Sequence, residues 1–327
     1  MKNWKKAIAL VASAAALVSV AACGSSNAGG SSDSGKKTVG FVAVGPEGGF
    51  RTANEKDIQK AFEDAGFDLT YSPTQNNDQQ KQIQAFNKFV NDEVDAIILS
   101  STEVSGWDDS LKKAAEAEIP VFTVDRNVDV KDAEAKKAIV AHIGPSNVWC
   151  GEQAAEFVNK NFPDGANGFI LEGPAGLSVV KDRGTGWGNK VASNVKVLES
   201  QSANWSTDEA KTVTAGLLDK YKSDNPQFIF AQNDEMGLGA AQAVDAAGLK
   251  GKVKIITIDG TKNALQALVD GDLSYVIEYN PIFGKETAQA VKDYLDGKTV
   301  EKDIEIESKT FDAASAKEAL DNNTRAY

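Results

Sequence analysis

Thr38-Val39-Gly40-Phe41-Val42-Ala43-Val44 is an unbroken apolar run. A strand with one wet face alternates apolar and polar residues, so this run reads as a strand buried on both faces. Gly45-Pro46-Glu47-Gly48-Gly49-Phe50-Arg51 follows, a loop by composition. A helical pattern over 52–65 comes next, with Ile58, Ala61, Phe62 and Ala65 on one face and Gly66 placed as a C-cap. Strand, loop and helix make the first part of a βαβ unit, the unit that builds parallel sheets.

The same rhythm runs on in both halves of the chain. Strands are expected over 68–72, 96–100 and 121–124, with helices over 78–91 and 107–117 between them. It restarts after Ile143, with helices over 147–161, 179–192, 207–221, 235–247 and 262–269. Strands over 168–172, 195–202, 228–231, 254–258 and 275–277 alternate with them. A last long helix is expected over 281–295, with Pro281 in its first turn. The predicted fold class is α/β, with two doubly wound parallel-sheet lobes.

Upstream of Thr38 the chain reads as an address. Lys2, Lys5 and Lys6 precede an uncharged, Ala- and Val-rich stretch over 7–22 that is too short for a convincing membrane span. It ends in Val20-Ala21-Ala22-Cys23-Gly24, which resembles a bacterial lipobox. We expect a signal peptide over 1–22, a lipid on Cys23, and a flexible Gly/Ser-rich tether over 23–37. That places the body outside the cytoplasm, anchored to the membrane.

Bulk properties narrow the function. The 327 residues carry 47 acids against 35 bases, a net charge of −12. Nucleic-acid affinity needs Lys and Arg against phosphate, so no such partner is expected. Cys23 and Cys150 are the two cysteines and His142 the one histidine, which leaves no basis for a cysteine metal site. His142 reads as a strand-end residue rather than a catalytic base.

Ligands of open α/β sheets bind beyond the carboxyl ends of the strands. Those positions hold Glu47-Gly48-Gly49-Phe50-Arg51, then Ser101-Thr102, Asp125-Arg126-Asn127, Glu172-Gly173, Asn233-Asp234, Asp259-Gly260 and Glu278-Tyr279. Arg183 and Trp205 lie between strands. The first loop is neither G-x-G-x-x-G nor a Walker A and lacks the lysine; Gly184 to Gly188 falls within a helical pattern. A single strand-end Asp usually serves a turn, but polar residues at several strand ends together suit a neutral polyol. Carboxylate, amide and guanidinium groups pair with vicinal hydroxyls, and Phe50 and Trp205 offer faces for a sugar ring. A glycoside hydrolase would need a protonated acid, whereas clustered Asp and Arg tend to pair and stay ionised.

At these residues the chain resembles the type I periplasmic sugar-binding proteins of ABC importers, the ribose- and galactofuranose-binding group. It is similar in particular to the galactofuranose-binding and the Gram-positive fructose-import members. The resemblance covers 38–327 and rests on Val39-Gly40-Phe41, Glu47-Gly48-Gly49-Phe50-Arg51, Ser105-Gly106-Trp107, Ile119-Pro120-Val121-Phe122, Asp125-Arg126, Asp182-Arg183, Asn233-Asp234-Glu235-Met236 and Ile258-Asp259-Gly260. It implies three crossings between lobes, near Ile143, Glu278 and Glu307. The lobes are then 38–143 with 279–307, and 144–278 with 308–327. Sugar contacts are implied for Glu47, Gly48, Gly49, Phe50, Arg51, Thr102, Asp125, Arg126, Arg183, Trp205, Asn233, Asp259 and Glu278. At the Glu278 position ribose binders often carry an amide, so ribose fits less well than fructose. No cofactor is implied, and the D-x-[DN]-x-[DN]-G calcium loop of glucose/galactose binders is absent. The implied partners are a monosaccharide and the permease and ATPase of an ABC importer, met by a monomer. Two other classes use such features, a carbohydrate-active enzyme and the effector domain of a sugar-sensing repressor. The second needs a basic helix-turn-helix where this chain has an export signal.

Overall fold

The computed structural model describes residues 35–75, 77–325 and 327. The expectations for the signal peptide, for Cys23 and for all but the end of the tether fall outside these residues.

The first half runs β1 (Thr38–Ala43), α1 (Gly49–Asp64), β2 (Asp68–Pro73), α2 (Gln79–Asn91), β3 (Ala96–Leu99), α3 (Asp108–Glu116), β4 (Val121–Val124), α4 (Ala133–Ala138) and β5 (Ile139–Pro145). The second runs α5 (Asn147–Asn161), β6 (Ala166–Glu172), α6 (Ser178–Lys190), β7 (Val195–Ser202), α7 (Thr207–Lys220), β8 (Pro226–Ala231), α8 (Asp234–Ala246), β9 (Lys254–Asp259), α9 (Lys262–Val269) and β10 (Tyr275–Glu278). After it come α10 (Gly284–Leu295), β11 (Asp303–Ile306), β12 (Thr310–Phe311) and α11 (Ala313–Asp321).

These strands form two six-stranded sheets, ordered β11-β5-β4-β3-β1-β2 and β12-β10-β9-β8-β6-β7. The chain passes from the first sheet to the second after β5, returns after β10, and passes over again between β11 and β12. The strand order in each sheet reverses beside β1 or β6, which opens a crevice at the carboxyl ends.

Both faces of both sheets are covered, which is why the strands read as continuous apolar runs. In β1, Val39, Phe41 and Ala43 pack with Ile58 and Phe62 of α1 and Val291 of α10. Val42 points the other way, to Phe86 and Phe89 of α2 and Leu111 of α3. In β6, Phe169 and Leu171 face α7, α8 and α9, while Ile170 faces α5 and Trp187 of α6.

Four local differences from the sequence reading have identifiable causes. Helix α1 begins at Gly49, so Phe50 and Arg51 ride on its first turn rather than in a loop. Helix α10 begins at Gly284, leaving Pro281 outside it. The Pro281 carbonyl accepts from Asn54 Nδ2 at 2.9 Å, and the Gly284 N–H donates to Asp57 Oδ2 at 2.6 Å, so side chains of α1 set where α10 starts. Strand β12 is antiparallel to β10, because the last crossing brings the chain back along that edge. His142 lies within β5 rather than at a strand end, its Nδ1 3.0 Å from Thr123 Oγ1; burial lowers its pKa.

Helices α5 and α6 approach closely through glycine. A β-carbon on Gly151 would stand 2.0 Å from the Arg183 carbonyl oxygen, and one on Gly186 1.9 Å from that of Val148. Of the glycines read as a helical pattern, Gly186 is thus the one that lets α6 sit against α5, while Gly184 and Gly188 meet nothing within 4 Å.

Candidate functional site

The carboxyl ends of both sheets face one cleft of about 420 Å³, measured with its open mouth. The first sheet contributes Glu47, Gly48, Gly49, Phe50 and Arg51 after β1, and Asp125 and Arg126 after β4. The second contributes Arg183 from α6, Trp205 after β7, Asn233 after β8 and Asp259 at the end of β9.

Three of these positions carry unusual backbone. Asp125 has φ 60°, Trp205 φ 61° and Asp259 φ 132°. Such conformations cost about 1–3 kcal/mol each and persist only where the surroundings enforce them. At Trp205 the enforcement is packing: a β-carbon on Gly173 would meet its Cζ2 at 2.0 Å, so the indole lies flat on that glycine.

A hydrogen-bonded rail runs under the cleft. Arg51 Nη2 pairs with Asp125 Oδ2, and Arg51 Nη1 donates to Ser100 Oγ at 3.1 Å. Tyr279 donates its hydroxyl to Asp125 Oδ1 at 3.1 Å and accepts from Asn147 Nδ2 at 2.9 Å. Asn147 Oδ1 in turn accepts from Arg183 Nε at 2.9 Å. The Arg183 guanidinium lies 5.0 Å over the Tyr279 ring and 5.7 Å over Trp205, and Phe50 and Tyr279 have ring centroids 5.0 Å apart. At the rim, Arg126 Nη2 pairs with Glu47 Oε2.

The charges follow from this pairing. Burial acts to raise the Asp125 pKa, but Arg51 and then Arg126 hold it below the ordinary carboxylate value. Burial acts to lower Arg51, and the charges of Asp125, Glu47 and Glu55 more than offset it. Burial, then the charge of Asp125, keeps the Tyr279 phenol protonated. Asp259 departs from the expectation that the strand-end carboxyls stay ionised. Burial first, then the charge of Asp234, pushes its pKa well up, and Arg183 Nη2 at 4.0 Å is too distant to reverse this.

Among the residues named from sequence, Thr102 and Glu278 do not line the cleft. Thr102 N–H and Oγ1 both donate to Gln82 Oε1, at 2.8 and 3.0 Å, in a buried knot under β1 and β3. Glu278 turns away to pair with Arg325, and its Oε2 accepts the Lys309 N–H at 3.0 Å. The lining also includes Val179, Glu235 and Tyr279, which were not named as contacts. Tyr279 already stands in the strand-end pair Glu278-Tyr279, and Glu235 sits two positions beyond Asn233, so extending that reading by one helical turn finds it. Val179 gives no such signal.

The cleft sets three guanidinium groups against the carboxyls of Glu47, Asp125, Glu235 and Asp259, the last pushed toward neutrality. Its charge is therefore close to balanced. Glu47 Oε1, Arg51 Nε, Arg126 Nε and Trp205 Nε1 have no hydrogen-bond partner within the protein. Such a lining fits a neutral molecule bearing several hydroxyls. Among the described residues no cluster of acidic, His and Cys side chains could hold a metal ion, and no helix is long and apolar enough to cross a membrane.

Comparison with known proteins agrees with this architecture. The galactofuranose-binding protein YtfQ of Escherichia coli is 32% identical over 325 residues, spanning 97% of this chain and 98% of its own. A Mycobacterium smegmatis protein solved with β-D-fucofuranose is 35% identical with a TM-score of 0.81, covering 88% of this chain and 95% of its own. The binding component of the arabinose ABC transporter of Shewanella sp. ANA-3, solved with α- and β-L-arabinofuranose, is 30% identical. Its TM-score is 0.82, covering 87% of this chain and 95% of its own. The Escherichia coli and Shewanella relatives are binding proteins. Residues 39–299 match the family described as periplasmic binding protein domain, and the two-lobed α/β chain belongs to it.

Proposed function

We propose that this chain captures one furanose-form monosaccharide, D-fructose first among the candidates, and delivers it to the permease of an ABC importer. The observation that carries the reading is the charge-balanced cleft with its unpartnered polar atoms. Glu47, Arg126, Arg183, Asn233 and Asp259 would bond the hydroxyls, and Phe50 and Trp205 would cover the ring faces. Asp125 would receive a hydroxyl on the lone pairs that Arg51 and Tyr279 leave free. The relatives' ligands, galactofuranose, fucofuranose and arabinofuranose, support a five-membered ring.

The moving bodies would be residues 38–143 with 279–307 and residues 144–278 with 308–327, closing about the three crossings as other periplasmic binding proteins do. A lipid on Cys23 would hold the monomer at the outer face of the membrane, with the tether leaving it free to meet the permease. Calorimetric titration with monosaccharides tests the reading; heat from none of them would remove it.

A further inference from the structure

We propose that Arg325 and Tyr327, in the segment after α11, are positioning residues for the sugar. They hold the Asp259–Gly260 turn in the one conformation that presents Asp259 to the cleft. The inference rests on the reading of Asp259 as a sugar contact.

Strand β9 ends at Asp259 with φ 132°, a region that residues with a β-carbon avoid, and Gly260 follows at φ 84°. Only the Asp259 carbonyl still meets the ladder, through the Tyr279 N–H of β10's end, so the rest of the turn's backbone groups are held from outside. The partners come from two sources. Asp234 Oδ2 accepts the N–H groups of Gly260 and Thr261, at 2.9 and 2.7 Å. The carbonyls are held mainly from the segment after α11. Tyr327 donates its hydroxyl to the Asp259 carbonyl at 2.8 Å, and Arg325 Nε donates to that of Gly260 at 2.8 Å. The Tyr279 N–H adds a bond to the Asp259 carbonyl at 3.1 Å.

Both side chains are themselves anchored. Arg325 is 7% exposed and pairs with Glu278, which explains why that carboxylate turns away from the cleft. The Tyr327 carbonyl accepts the Lys262 N–H at 2.8 Å, so the segment is tied to the start of α9. The Tyr327 ring also reaches the opposite lobe: a β-carbon on Gly49 would stand 3.3 Å from its Cδ2. Neither Arg325 nor Tyr327 lines the cleft, so any effect on sugar must pass through the turn.

The test is a double-mutant cycle on the full-length protein in detergent, titrated with D-fructose, D-galactose and L-arabinose. Tyr327→Phe keeps the ring and removes the bond to the Asp259 carbonyl, and Asp259→Asn replaces the carboxyl of the contact with an amide. The inference predicts that Tyr327→Phe weakens the tightest-binding sugar roughly fivefold, in line with one lost hydrogen bond, while the melting temperature stays close to the parent's. In the Asp259→Asn background, which itself binds far more weakly, Tyr327→Phe has no further effect. Tyr327→Phe with parental affinity beside a defective Asp259→Asn overturns the positioning role and leaves the cleft reading standing. Equal, additive losses in both backgrounds also overturn it. Parental affinity in Asp259→Asn, or saturation by none of the sugars, overturns the cleft reading on which it rests.

Discussion

Glu235 Oε1, in the first turn of α8, accepts the backbone N–H of Gly49 at 3.1 Å, joining the second lobe to the start of α1 in the first. Its other oxygen accepts Asn233 Nδ2 at 2.7 Å. A carboxylate at a helix N-terminus gains from the free N–H groups and the helix dipole. If the lobes close about the sugar as proposed, this bond forms only in the closed form and would add to its stability and hence to affinity.

Glu235→Ala is therefore predicted to weaken sugar binding about tenfold, the scale of one charged hydrogen bond, mainly through faster release. Stopped-flow displacement reads the release rate directly. An unchanged rate would show that the contact contributes nothing to closure.

Asp259 and Asp234 give the ligand-free protein a distinctive pH response. Burial pushes Asp234 up to about 7, and burial with the charge of Asp234 pushes Asp259 well up. Both native pKa values lie above their unfolded values, so the native state binds more protons between about pH 4 and 7. Stability should fall as pH rises through that window. Asp259→Asn should flatten the fall and raise the melting temperature above pH 7, while losing sugar. A melting series from pH 4 to 8 checks this, and an identical slope in the variant would show that Asp259 titrates normally.

Gly151→Ala tests how the fold sets the site. The added β-carbon meets the Arg183 carbonyl, a backbone atom that moves only if α6 moves. Overpacking of this kind costs about 1–3 kcal/mol, and the shift carries the Arg183 guanidinium off Asn147. Urea unfolding should show the loss of stability, and sugar affinity should drop with it. Unchanged values of both would mean that the helices separate freely.

Cys23→Ser is predicted to move the protein from the membrane fraction to the medium or a soluble extract. Retention of the variant in the membrane fraction would remove the lipid anchor from the account.

The strand-end rule located the cleft because it depends only on chain direction: Glu47, Asp125, Arg126, Asn233 and Asp259 all follow a buried apolar run and all line it. It could not separate residues that face the cleft from those that turn back. Thr102 and Glu278 stand at strand ends too, but Gln82 and Arg325 take up their polar groups, and both partners come from distant sequence. Short elements were also hidden. Helix α4 is six residues of Ala, Glu and Lys, set by the cap Asp132 rather than by an apolar face, and β12 is two residues defined by its neighbour. The turn at Asp259 was invisible, since a φ of 132° leaves no mark in composition.

The cleft is proposed to hold one small neutral sugar. Calorimetric titration of residues 37–327 with D-fructose, D-galactose, L-arabinose and D-ribose tests it most directly, with Arg126→Ala and Asp259→Ala as controls. Saturable 1:1 binding of one of these sugars, fructose first, is expected, with no detectable heat in either variant although both remain folded. Heat with no sugar, or parental affinity in both variants, would contradict it.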